Sequence, residues 1–356
     1  MKGIVSFHPI DPSFFEGTIE PLVAGEKINP EDFLAASLRH LVASWESARY
    51  KQTLDFLLEQ IEPPPPPEDG TMWDKVRTRL ERFDHRPSEL VRMVATHIDP
   101  ELHLGGRPFL ITEGSAESVA GAVDAFTTVD NESRAERLII EQLAALDPKL
   151  PDQLELDDAE PSPPPGSYRN ELLQELRVIF DQSRLARDDQ AWGPAGSRRE
   201  PARDVLVREL PWRAVQLHAK AVPFWYGEDV DGLETICLAA GLEPPNVLVP
   251  AWGLFQRSCD AFPELRDRLG VELQDERSVG AYVPPHDIPA LLDYLNDFGA
   301  RIIQVATRHG VGATCKTLLR KIRECACYAQ RTGGGYLEAS GVQPVGPELP
   351  ENEELS

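Results

Sequence analysis

The stretch from Asp152 to Pro165 holds five acids, four prolines and no basic residue. Proline cannot donate a backbone hydrogen bond, and like charges repel, so this composition resists both helix interior and sheet. It divides the chain into two regions that each need their own secondary structure. We expect an N-terminal, mainly helical domain over residues 1–150, a linker over 151–167 and a C-terminal α+β domain over 168–345. An acidic tail over 346–356 is expected to be disordered. A second interruption, Pro63–Pro67 within residues 62–70, reads as a stiff extended connector inside the first region. A chain of 356 residues has room for two such domains.

Periodicity makes the fold class α+β and predominantly helical, with a few short strands in strand-loop-helix units. Gly3–Phe7 is a candidate strand. Asn29-Pro30-Glu31-Asp32 is a helix start, and Leu34, Leu38, Leu41 and Trp45 follow at helical spacing. Helices are expected at Met72–Phe83 and Ser88–His97, with a strand at Phe109–Ile111. Past the linker, Ser167 can cap a helix carrying Leu172, Leu176 and Ile179. Residues Asp188–Arg203 read as a polar loop, and Trp212 to Val222 as a helix. Asp231 with Glu234 resembles a capping pair for a helix stopped at Gly241. Trp252 to Phe262 reads as helical, Val279–Val283 as a strand, and Asp287 as the cap of a helix with Leu291 and Leu295. Ile302, Ile303 and Val305 suggest a strand, leading through a glycine loop into a helix. Tyr336–Ala339 suggests a last strand.

Acids outnumber bases, 59 to 36, for a formal charge of -23. Such a balance disfavours nucleic acid and anionic lipid as partners and attracts basic proteins. No apolar run is long enough to cross a membrane as a helix. The opening, MKGIVSFHPIDPSFF, lacks the apolar core of a signal peptide, so a cytoplasmic protein is expected. Five cysteines without such a signal fit reduced thiols.

Four groups of residues carry possible chemistry. The first is the glycine loop. Gly310, Gly312, Thr314 and Lys316 nearly spell a phosphate-cradling loop, and Arg308, His309 and Arg320 could add charge around an anion. Cys315 stands where that pattern needs its second glycine. The second is Cys327, four residues from both Arg323 and Arg331, where neighbouring cations would favour a thiolate. The third is Trp225, Tyr226, Glu228 and Asp229, aromatics beside acids, which suit a cationic partner. The fourth is His97, Asp99 and His103, whose alternation in an extended chain would point them to one side, as a metal site needs. No sequence motif calls for a cofactor.

These features lead us to expect a non-enzymatic cytoplasmic binding protein, an immunity, inhibitor or adaptor protein for a basic protein partner. The alternative is an enzyme or small-ligand receptor that holds a phosphate-like anion at the C-terminal glycine loop and basic helix.

Overall fold

The computed structural model describes residues 4–44, 102–103, a few positions between 128 and 141, 165–193, 199–227 and 230–343. The expected elements at Met72–Phe83, Ser88–His97 and Phe109–Ile111, the proline connector, the linker before Pro165 and the acidic tail lie outside the described residues. The main described elements in chain order are β1 (Val5–Ile10), α1 (31–44), β2 (Leu102–His103), α2 (Pro165–Arg187), α3 (Ala202–His218), β3 (Phe224–Gly227), α4 (Leu233–Ala239), β4 (Val249–Pro250), α5 (Gln256–Ala261), β5 (Val279–Val283), α6 (Ile288–Arg308), α7 (Gly312–Thr332) and β6 (Gly335–Ser340); within the expected polar loop, Ala191–Trp192 and Glu200–Pro201 pair as a separate short antiparallel ladder. Short helical turns at Pro12–Phe14, Phe15–Ile19 and Glu20–Ala24 join β1 to the first long helix.

The protein is α+β, built on an antiparallel sheet of order β2-β3-β1-β6-β5-β4. β1 lies near its centre, with Phe7 opposite Trp225 on one side and Glu338 on the other. Val5–Ile10 thus shares a sheet with strands that follow residue 223. The linker expected over 151–167 falls, in sequence, between β1 and the strands it pairs with.

Helices cover both faces, and every residue of β1, β5 and β6 is buried. Strand alternation sends neighbouring residues to opposite cores. Val5 and Phe7, Trp225 and Tyr336 face the core under α4, α6 and α7. Ile10, Phe224 and Leu337 face the core under α2, α3 and α5. β5 departs from this parity: Val279 belongs to the second core and Ala281 to the first. A register irregularity between Val279 and Tyr282 supplies the extra residue that switches sides.

Three expectations are corrected in their boundaries or type. α2 begins at Pro165, two residues before the expected Ser167 cap, because proline suits a first helical turn. α3 begins at Ala202 and runs through Pro211, so it replaces the end of the expected polar loop. Burial of Val205, Leu206, Leu210 and Ala214 outweighs the missing proline N–H. The largest correction concerns Ile302, Ile303 and Val305. They lie inside the 21-residue helix α6, not on a strand. Their spacing joins Leu291 and Leu295 in one helical stripe, of which Ile302 is buried.

Candidate functional site

The C-terminal stretch is a helical hairpin. α6 ends at Arg308, Gly310 takes a left-handed φ of 81°, and α7 starts at Gly312. Gly312 has no room for a side chain, since a Cβ there would press on Thr307. Arg308, His309, Gly310, Thr314, Lys316 and Arg320 are exposed around this turn and along the start of α7, and Gly312 is half-buried. The hairpin brings the expected anion-site residues to one end of the molecule. It also removes the strand-to-helix turn that gives a phosphate loop its cradle, so the geometry behind the motif is absent here. Arg320 leans towards Glu324, 3.5 Å away, one helical turn on.

The inner face of α7 is more polar than its stripe suggested. Cys327 is only 2% exposed and lies in the core together with Cys325. It does not share an open face with Arg323 and Arg331, because α6 and the sheet together bury most of this helix. Burial pushes the Cys325 thiol well up, which favours the neutral form. Glu324 and Lys321 are also buried. Trp225 Nε1 donates to Glu324 Oε2 at 3.1 Å, and Lys321 Nζ donates to the Tyr226 carbonyl at 2.8 Å. Trp225 is therefore not a contact residue for a partner; it is fully buried and satisfies a carboxylate. Tyr226 is half-buried, and Glu228 and Asp229 lie outside the described residues.

A second buried carboxylate, Glu338, was not singled out from the sequence. It accepts the Leu233 N–H at 3.1 Å and the Tyr336 hydroxyl at 2.7 Å. It thereby caps α4 from the far end of the chain, in the place expected for Asp231. Gly232, the N-cap residue, leaves room for it, since a Cβ would overlap Glu338 Oε2. Burial raises its carboxyl to about 7 against the two hydrogen bonds, with the charge of Glu234 adding to the rise. Its only legible signal is a lone glutamate in an apolar strand, Gly335–Ser340.

On the opposite side of the sheet, His8 and His218 are buried among aromatic rings, and His40 is fully buried as well. His8 stacks on Phe224 at 4.7 Å and pairs with Ser6 Oγ at 2.8 Å, and His218 Nε2 accepts the Asp11 N–H. Burial lowers all three, His40 and His218 to about 4. They are neutral at physiological pH and act as polar core residues. For the expected metal ligands, His97 and Asp99 lie outside the described residues, while His103 belongs to β2 at the sheet edge. Among the described residues no three His, Cys, Asp or Glu side chains are placed to hold a metal.

The open surface near α4 and α6 combines charge with apolar contact. Leu238 on α4 is 59% exposed and Phe298 on α6 is 36% exposed. Each has an acid nearby on its helix: Glu234 one turn before Leu238, and Asp297 beside Phe298, with Asp293 a turn earlier. Tyr294 reaches from α6 to α4 and to the segment after it: its hydroxyl lies 3.4 Å from Cys237 Sγ and donates to the Glu243 carbonyl at 2.7 Å, while its ring packs on Phe298 at 4.8 Å. Glu234 is raised by partial burial first and by the charge of Glu272 second, so an acid of α4 and one from the segment before β5 approach each other there. No described helix is long and apolar enough to cross a membrane. No protein-family model, curated protein or solved structure matches the chain.

Proposed function

We propose that this chain is a non-enzymatic binding protein, of the immunity, inhibitor or adaptor kind, and that its α4–α6 face holds a basic protein partner. The observation that supports this reading is the pairing of exposed Leu238 and Phe298 with Glu234, Asp293 and Asp297. Protein interfaces commonly place apolar anchors inside a charged rim, and the rim sets which partner approaches. The excess of carboxylates is chainwide. Several described cations, among them Arg169, Arg213 and Lys220, already sit against Glu31, Glu209 and the Glu171–Glu175 pair. These local pairs leave the formal charge of -23 to act on its surroundings.

The test begins with association partners from the native host, ranked by charge and by release in salt. Asp293→Lys with Asp297→Lys should weaken capture of one basic protein, and Leu238→Ser should shorten its residence. Asp188→Lys, in the exposed turn just after α2, should leave capture unchanged. Equal losses from the α6 pair and from Asp188→Lys, or capture indifferent to salt, would refute the α4–α6 face as the docking surface.

A further inference from the structure

Three histidines from three elements meet in one buried layer. His8 comes from β1, His40 from α1 and His218 from the last turn of α3. None is more than 2% exposed, and His218 is near enough for its charge to act on both His8 and His40. Phe14 closes the layer, packing on His218 at 5.4 Å and on Phe33 of α1 at 5.1 Å. The hydrogen bonds fix two of the rings as neutral. Ser6 Oγ donates to the Ala339 carbonyl, so it accepts from His8 Nε2 at 2.8 Å. His8 Nδ1 is then a buried lone pair with no partner among the described residues. His218 Nε2 accepts the Asp11 N–H, which puts its own proton on Nδ1.

α1 meets this layer with a polar face. Ser37, His40 and Ser44 recur at helical spacing and are all 0% exposed. The Ser37 and Ser44 hydroxyls find no hydrogen-bond partner among the described residues. Burying an unpaired hydroxyl costs free energy that water returns when the face opens. Leu34 and Leu41 oppose opening from the apolar side of the helix. The other two sides of the layer are fixed. β1 is paired along both edges, and α3 packs along α2. α1 is the side that can give.

We propose that this layer is an acid-operated latch, in which protonation of the histidines releases α1 while the sheet and the α6–α7 hairpin stay folded. Neighbouring imidazolium rings repel, and a buried ring cannot keep a second proton unpaired. Release gives the rings water, and with it their ordinary affinity for protons. Burial lowers His40 and His218 from 6.5 to about 4, so the released form binds protons more readily. The closed form is therefore complete above about pH 6.5 and weakens as pH falls below it. Asp11 acts on His218 in the opposite sense, but its carboxylate is bonded to the N–H and hydroxyl of Ser13. Against the cost of burial, Lys220 is held charged by Glu171 and Glu175 of α2, and burial keeps Tyr168 neutral. Arg169 keeps Glu31 of α1 ionised. Glu20, raised to about 7 chiefly by burial, titrates nearby but is bonded to Ser258 of α5, and comparison with a histidine variant cancels it. The latch is independent of the α4–α6 face and of the reading given above.

The test is hydrogen exchange of the full chain at pH 7.5 and 5.5, corrected for the intrinsic rate at each pH. Amides of residues 31–44 should lose about a hundredfold in protection, tenfold for each of His40 and His218, while those of α7 keep theirs. His40→Gln should shrink that loss about tenfold. His218→Gln, which keeps an acceptor for the Asp11 N–H, should do the same if His40→Gln does not fold. Ser37→Ala should raise the protection of α1 at both pH values and leave their ratio unchanged. His286→Gln, at a site whose side chain is 79% exposed, should change nothing. Equal losses in α1 and α7 would mean that the whole chain unfolds, and would overturn the latch. So would a ratio near one in the wild type, or histidine variants that keep the wild-type ratio.

Discussion

Replacing Glu338 with glutamine should stabilise the protein at neutral and alkaline pH and do nothing in acid. The carboxyl is 1% exposed and raised from 4.5 to about 7. A raised carboxyl means that the folded state holds its proton longer than the unfolded chain does. Its contribution to stability is therefore complete below about pH 4.5 and is lost as pH rises through about 7. The shift corresponds to roughly 3 kcal/mol at the upper end of that window. Glutamine keeps an oxygen for the Leu233 N–H and for the Tyr336 hydroxyl, so α4 retains its cap. The groups that share this space, Tyr336, Cys325 and Cys237, are all pushed up by burial and stay neutral over the same range. Glu234 is part of the effect, since its charge adds to the rise at Glu338 and the variant removes that repulsion along with the burial cost. Urea midpoints for wild type and Glu338→Gln, taken at unit steps from about pH 4.5 to 8, measure the effect. The advantage of the variant should grow from near zero to about 3 kcal/mol. A difference that stays flat across the range would show that Glu338 does not change protonation there, and the burial argument would fail. Using the difference matters, because His8, His40 and His218 act in the opposite sense. Their lowered values make stability fall as pH drops below their unfolded range near 6.5.

Two further perturbations test the core around α7. Cys325 and Cys327 should resist a thiol reagent in the native state and react once urea unfolds the chain, since both are buried. Rapid native labelling at Cys327 would restore an accessible thiol. Trp225→Phe should destabilise by about 1–3 kcal/mol, because it takes the indole donor at 3.1 Å away from a buried Glu324 oxygen. A loss no larger than that from an exposed substitution such as Trp252→Phe would show that the bond contributes nothing net.

Local patterns were legible wherever one element decided its own structure. Val279–Val283 is a strand with the bounds read from the residues, and Gly241 takes the left-handed turn that closes α4. The apolar spacing of Leu291 and Leu295 marked α6, but three β-branched and apolar residues at 302–305 suggested a strand inside it. The error has a physical source. A run so short satisfies either period, and the choice falls to the packing of α6 on α7. The N-terminal strand was visible, yet its place between β3 and β6 was not, because pairing across more than two hundred residues leaves no local trace.

The two site residues most changed by the structure, Trp225 and Cys327, fail for one reason. Each was read as if its element had a solvent face. An aromatic beside acids binds cations only where it is exposed, and a thiol beside arginines ionises only where water or those cations reach it. Here the sheet is covered on both faces, so β3 sends Trp225 towards α7 and α7 sends Cys327 back into the same layer. Charge in that layer is met by internal partners instead: Glu324 by Trp225, Lys321 by the Tyr226 carbonyl, Glu338 by Tyr336 and the start of α4. On the proposed reading, the groups that meet a partner come from positions the core does not claim. In α4 and α6 these are pairs one turn apart, Glu234 with the exposed Leu238 and Asp293 with Asp297, which a helical period predicts once the buried side is known.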